Sequence, residues 1–180
     1  MDIAPSPFVR RFATRMVKAA GTKPILDVAC GGGRNAILLS HFGAQVICID
    51  IDLSRLESER VRLSETIFAE AFSRIQSVSL DLLNDKWPFD PLSAGGVVNV
   101  HFHCPALFPA FADVMVPGGF LLLETVPGHG GNYLQLPVAG SLRDALQESF
   151  ELDVYRERNA GRADHKAVTA RLLGVKRNHH

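Results

Sequence analysis

Apolar positions along the chain fall into two kinds of stretch, short unbroken runs and longer segments with helical spacing. Phe8, Phe12 and Met16 recur every fourth residue with Val9 beside them, while Arg10, Arg11, Arg15 and Lys18 fall mostly elsewhere. That spacing predicts an amphipathic helix that starts near Pro5-Ser6-Pro7 and stops at Gly21. Pro24 to Ala29 is a short apolar run ending in glycines, the mark of a buried parallel strand. Arg34 to Phe42 then reads as a helix closed by Gly43, and Gln45 to Ile49 as a second buried strand ended by Asp50-Ile51-Asp52.

Leu53 to Arg74 contains neither Gly nor Pro and sets Leu56, Leu63, Ile67 and Ala71 on one face, which predicts one long helix. Ile75, Val78 and Leu80 mark a third strand, followed by a loop from Asp81 to Ser93. A fourth strand is expected at Gly96 to Phe102, a helix at Ala106 to Val116, and a fifth strand at Phe120 to Val126 after Pro117-Gly118-Gly119. A glycine-bearing loop from Gly128 to Gly140 leads to a helix at Ser141 to Ser149 and two last strands, Glu151 to Arg156 and Ala167 to Val175. Strands alternating with helices predict a single doubly wound α/β domain over residues 1–180, its sheet mostly parallel and covered on both faces.

Composition narrows the function. A chain of 180 residues suits one domain, and 47% apolar with 21% charged residues is ordinary for a globular protein. Basic and acidic residues balance at 19 each, so no basic face for nucleic acid is indicated. No run approaches the ~18 apolar residues of a membrane span, and the first residues lack the order of a secretory signal. Cys30, Cys48 and Cys104 are odd in number, widely spaced and free of any CxxC pair. Neither a disulfide framework nor a structural zinc site is expected, and a reducing cytoplasm fits best.

The stretch Leu26-Asp27-Val28-Ala29-Cys30-Gly31-Gly32-Gly33-Arg34-Asn35 follows a strand and opens a helix. Glycines there let the backbone turn tightly and let a ligand lie against it, at the strand ends where open α/β sheets bind ligands. Asp50 ends the next strand, where a carboxylate can accept hydrogen bonds from both hydroxyls of a ribose. Together they point to an adenosine-containing ligand. Gly31-x-Gly33-x-x-Ala36 also satisfies the dinucleotide pattern, so a small NAD-dependent oxidoreductase is the rival reading. Against it, Asp27 lies four residues before the first glycine, where it can orient a cationic amino acid group, and no second lobe faces a nicotinamide. A module that binds the ligand without turnover is the other alternative, and no Walker pattern is present.

The run from Leu26 to Ala36 resembles the first motif of class I S-adenosylmethionine-dependent methyltransferases. Its Cys-Gly-x-Gly-Arg-Asn form is most similar to the small tellurite-resistance-type branch. Further matches are Asp50, Asp81-Leu82 with Trp87-Pro88-Phe89, and Val116-Pro117-Gly118-Gly119-Phe120. The resemblance implies a Rossmann-like fold with a seven-stranded sheet and an antiparallel last strand. It also implies S-adenosyl-L-methionine as cofactor, with Asp27, Ala29, Gly31, Gly33 and Asn35 on its methionine side. Asp50 would take the ribose, Ile51 the adenine face, and Asp81 with Leu82 the adenine edge. One departure stands out: the family usually has glycine where this chain has Ala29.

Methyl transfer from a sulfonium needs alignment more than acid–base power, with a base only where the acceptor atom carries a proton. Acceptor-binding groups are expected at the end of the fourth strand, among Asn99, His101, His103 and Cys104. His101 and His103 are the candidate catalytic residues, as pocket-lining groups or a base, against a purely structural role; two close ligands do not make a metal site. His129 sits on the glycine-bearing loop, and Phe8 and Phe12 either cover the site as a lid or pack on the sheet. The acceptor is expected to be a small molecule and the protein a monomer or homodimer.

Overall fold

The computed structural model describes residues 4–126, 136–160 and 166–178. The first amphipathic stretch forms α1 (Pro7–Ala20), with Ser6 as N-cap accepting from the Phe8 and Val9 amides. Proline at the first helical position loses no hydrogen bond there. Next come β1 (Ile25–Val28), α2 (Arg34–His41), β2 (Val46–Asp50), α3 (Ser54–Arg62) and β3 (Ile75–Ser79). The second half holds β4 (Ala94–Val100), α4 (Phe108–Val114), β5 (Met115–Thr125), α5 (Ser141–Leu146), β6 (Phe150–Asn159) and β7 (Val168–Lys176).

The strands form one seven-stranded sheet in the order β3-β2-β1-β4-β5-β7-β6. Neighbours from β3 to β5 pair in parallel. The last strand, β7, lies antiparallel between β5 and β6. This is the doubly wound, Rossmann-like sheet expected from the alternation of elements. One face is covered by α1, α2 and α3, whose Phe8, Met16, Leu39 and Leu56 pack on Ile25, Val98 and Leu122. The other is covered by α4 and α5, with Phe111, Leu142 and Leu146 on Leu26, Val97 and Leu121.

Several expected boundaries move, one of them substantially. The long helix over Leu53 to Arg74 is instead α3 followed by turns and a 3₁₀ helix at Ala69–Arg74. Ser64 and Thr66 explain the break: their hydroxyls bond back to the carbonyls of Val61 and Leu63 at 2.8 Å each. Such short polar side chains compete with the helical ladder. Leu63 and Ala71 remain buried, but Ile67 is 76% exposed and leaves the expected apolar face. The helix expected over Ala106–Val116 becomes a 3₁₀ turn at Pro105–Leu107 and α4, because Met115 joins β5 and pairs with Ala94. The fourth strand starts early, at Ala94, through two glycines that serve as contact points. A Cβ on Gly95 would stand 2.6 Å from the Ala20 backbone, and one on Gly96 2.4 Å from the Phe120 ring. His129 lies outside the described residues.

Candidate functional site

The parallel strands β1, β2, β4 and β5 end on a common edge, with Val28 in register with both Ile49 and Asn99, and Val100 with Glu124. The Asn99 amide nitrogen donates to the Val28 carbonyl at 3.1 Å, tying the ends of β4 and β1. Above this edge the chain leaves β1 in a left-handed turn, with Ala29 at φ 56°, Gly31 at 55° and Gly33 at 72°. The glycines serve different ends. A Cβ on Gly31 would meet nothing within 4 Å, whereas one on Gly33 would stand 2.4 Å from Leu56 Cδ1. Gly31 therefore faces open space, and Gly33 lets α3 pack beneath the loop.

Two carboxylates lie on the strands that carry the loop, Asp27 in β1 and Asp50 at the end of β2. Asp27 is 1% exposed, and its Oδ2 accepts from the Ala36 amide at 3.1 Å. Burial raises its pKa from 3.8 to about 7, against the opposing pull of that hydrogen bond and of Arg34. Asp50 is half-buried: Oδ2 accepts from the Gly31 amide at 2.8 Å and Oδ1 from the Asp52 amide at 3.2 Å. The ribose candidate thus also fastens the loop. Ile51, next along, is 65% exposed, an apolar side chain left in the open beside Asp50. Under the loop the buried Cys48 thiol is pushed well above its usual range by its hydrogen bond to Cys30 and by burial.

Asp81 and Leu82 follow β3, both half-buried. Asp81 is engaged locally, accepting from the Leu83 amide at 2.9 Å and the Asn84 side chain at 2.8 Å, and these bonds hold its carboxyl below the usual range. Trp87 stacks with Phe89 and with Phe111 of α4, at 5.1 and 5.7 Å between centroids, on the sheet face away from α1. Asn35, expected on the methionine side, is 5% exposed and takes the Ser6 amide on its Oδ1 at 3.0 Å.

His101 and His103 follow β4 at the same edge. His101 is exposed, holds φ 71° and donates its amide to the Glu124 carbonyl at 2.7 Å. His103 is half-buried against the Phe108 ring, and burial lowers its pKa below 6.5. Its imidazole is therefore mainly neutral at pH 7, the form that can accept a proton. Among the described residues no cluster of His, Cys, Asp and Glu could hold a metal ion, and no helix is long and apolar enough to cross a membrane.

A family model described as a methyltransferase domain matches residues 25–119, more than half of the chain and the whole span from β1 to the start of β5. The chain belongs to this methyltransferase-domain family. It is 29% identical over 124 residues to a ubiquinone biosynthesis O-methyltransferase of Xanthomonas euvesicatoria, a match that takes in 67% of this chain and 50% of that protein. The chain spans about half the length of such relatives. Among solved structures, a geranyl diphosphate methyltransferase in complex with SAM aligns with TM-score 0.68 at 11% identity, over 92% of this chain and 84% of that one. The N-methyltransferase NodS from Bradyrhizobium japonicum aligns with TM-score 0.64 at 13% identity, over 96% and 98%.

For a methyltransferase domain of this fold the groups around Gly31 fit S-adenosylmethionine. A buried carboxylate suits an ammonium, a half-buried one suits ribose hydroxyls, and an exposed Ile51 suits the face of a purine. Sequence reasoning missed the polar junction on the other side of the edge. Glu124, 3% exposed near the end of β5, receives the Ser6 hydroxyl and, at 2.6 Å, Arg171 Nε of β7. The available signal was an acid directly after the apolar run Phe120-Leu121-Leu122-Leu123 and before Thr125-Val126.

Proposed function

We propose that residues 1–180 form one methyltransferase domain that moves the methyl group of S-adenosylmethionine to a small-molecule acceptor. The observation that carries this reading is the open Gly31 backbone, held by Asp50, in a loop whose two ends meet at the bond from the Ala36 amide to the buried Asp27. When bound, S-adenosylmethionine supplies an activated methyl on a positively charged sulfur. The chain's part is to hold and to align. Asp27 takes the ammonium, Gly31 and Ala29 line the methionine part along the backbone, Asp50 takes the ribose, Ile51 packs on the adenine face, and Asp81 with Leu82 meets the adenine edge. Gly33 and Asn35 act one step back, keeping the loop and α2 in place.

On the acceptor side, His103 is the better candidate base because its imidazole is neutral, while His101 lines the mouth. A base at this point favours a hydroxyl acceptor, in keeping with the O-methyltransferase relatives. The Cys30-Gly31-x-Gly33-Arg34-Asn35 form supports a place in the tellurite-resistance-type branch. The test is a thermal-shift panel of S-adenosylhomocysteine, NAD and ATP. S-adenosylhomocysteine at a hundred times its dissociation constant should stabilise the fold by about 2.7 kcal/mol, with NAD and ATP inert. Stabilisation by NAD alone would instead support the oxidoreductase reading.

A further inference from the structure

Glu124 occupies a position that strand pattern alone would fill with a leucine. Phe120 and Leu122, four and two residues earlier on the same strand face, are buried under α1. Burying a carboxylate is costly unless it is paired and hydrogen-bonded, and Glu124 is both. Its Oε1 receives Arg171 Nε at 2.6 Å and its Oε2 receives the Ser6 hydroxyl. Ser6 in turn is the whole start of α1. Its Oγ accepts from the Phe8 and Val9 amides at 3.1 and 3.4 Å, and its carbonyl accepts from the Arg10 amide at 2.9 Å.

Two further bonds extend the junction to both sides of the site. The Ser6 amide donates to Asn35 Oδ1 at 3.0 Å, in the first turn of α2 directly after the glycine loop. The Glu124 carbonyl receives the His101 amide at 2.7 Å, holding the turn in which His101 keeps a left-handed backbone. Glu124 thus joins the His101 turn, the start of α1 and β7 directly, and the first turn of α2 through Ser6. Both carboxylate oxygens of Glu124 are engaged, by Ser6 and by Arg171.

We propose that Glu124 is a positioning residue, which through Ser6 and Asn35 couples occupancy of the donor loop to the seating of α1 and of the His101 turn. The proposal rests on the methyltransferase reading of the loop. A ligand that orders the 29–35 loop orders the first turn of α2, and Asn35 passes that order to Ser6. Glu124 is needed because it fixes Ser6 from the opposite side. With an amide in its place, one of the two donors, Ser6 O–H or Arg171 N–H, faces an NH₂ group and the clamp opens.

The test is amide hydrogen exchange of the intact domain with and without saturating S-adenosylhomocysteine, read at Phe8, Val9 and Arg10, with binding followed by calorimetry. In the parent the ligand should slow these amides by about tenfold, the size of an ordinary coupling between sites. Glu124→Gln should bind S-adenosylhomocysteine within about threefold of the parent, yet the slowing at α1 should disappear. Ser6→Ala, read at Arg10 alone, is a second variant that breaks the same link should Glu124→Gln fail to fold. The proposal is overturned if the bound parent shows no slowing, or if either folded variant retains it. Absence of calorimetric binding to the parent would overturn the methyltransferase reading, and the proposal with it.

Discussion

The two halves of the strand edge are built in different ways. On the donor half, at the ends of β1 and β2, the polar groups lie on the strands that carry the loop, and they bond to nearby backbone: Asp27 to the Ala36 amide, Asp50 to the Gly31 amide. On the half proposed for the acceptor, at the ends of β4 and β5, the backbone bond from His101 to Glu124 is joined by contacts between side chains far apart in the chain. Ser6 meets Glu124 across 118 positions and Arg171 meets it across 47. A half made of local backbone bonds can hold one fixed ligand shape. A half clamped by remote side chains can be altered in shape by single substitutions far from the loop in sequence.

The comparison is broken most severely at Gly33. Its Cβ position lies 2.4 Å from Leu56 Cδ1, and its φ of 72° suits few side chains. Gly33→Val should cost about 3 kcal/mol, combining an overpacked contact with left-handed strain in a β-branched residue. Donor binding should fall with stability, since the loop can form only if α3 moves away. Urea denaturation alongside calorimetry would check this. A variant of unchanged stability that nevertheless lost donor affinity would put Gly33 against the ligand instead of α3.

The same contrast explains what could be read before the structure was known. Asp27, Gly31 and Asp50 sit within one strand–loop–helix–strand unit, so spacing along the chain reports spacing in space. The order of strands and helices was legible for the same reason. The Ser6–Glu124–Arg171 junction was not, because three remote segments meet there only once the sheet order places β7 beside β5. Asn35 carries a bond that its place in the motif does not announce: its side-chain Oδ1 accepts the amide of Ser6, 29 positions away. The break in the long helix after Arg62 was hidden because Ser64 and Thr66 carry no Gly or Pro signal and act through their hydroxyls.

A smaller effect sharpens the donor half. Asp27 titrates near 7 in the folded chain against 3.8 ordinarily, because it is buried. A raised acid pKa means that the folded state binds the proton more tightly than the unfolded chain. The free domain should therefore lose stability as pH rises from 3.8 to about 7 and level off above. Donor binding should run the opposite way, because an ammonium needs the ionised carboxylate. Affinity for S-adenosylhomocysteine should fall about tenfold per pH unit below that pKa, the slope of one linked proton. Asp27→Asn should flatten the profile at the low-pH level. Calorimetry across this range checks both; a flat parent profile would separate Asp27 from the ammonium.

The smallest effect compares the halves directly, because each contains one non-glycine residue held in a left-handed backbone at a strand end. Ala29 after β1 has φ 56° and His101 after β4 has φ 71°. A side chain in this region costs about 1–2 kcal/mol, so glycine relieves strain at either position. Glycine also gives the unfolded chain more freedom to lose, an opposing term of about 0.4–1 kcal/mol. The two nearly cancel, and both Ala29→Gly and His101→Gly should change stability by less than about 1 kcal/mol. Function should separate them. Ala29→Gly restores the residue that the family resemblance implies, leaves the Asp27 and Asp50 bonds in place, and should keep or slightly raise donor affinity. His101→Gly should leave donor affinity unchanged but removes the imidazole proposed for the acceptor side, so its loss should appear in turnover with an identified acceptor. Thermal denaturation, donor calorimetry and turnover on the same pair of variants test the division. A donor-affinity loss in His101→Gly that matched or exceeded any change in Ala29→Gly would show the two halves to be one site.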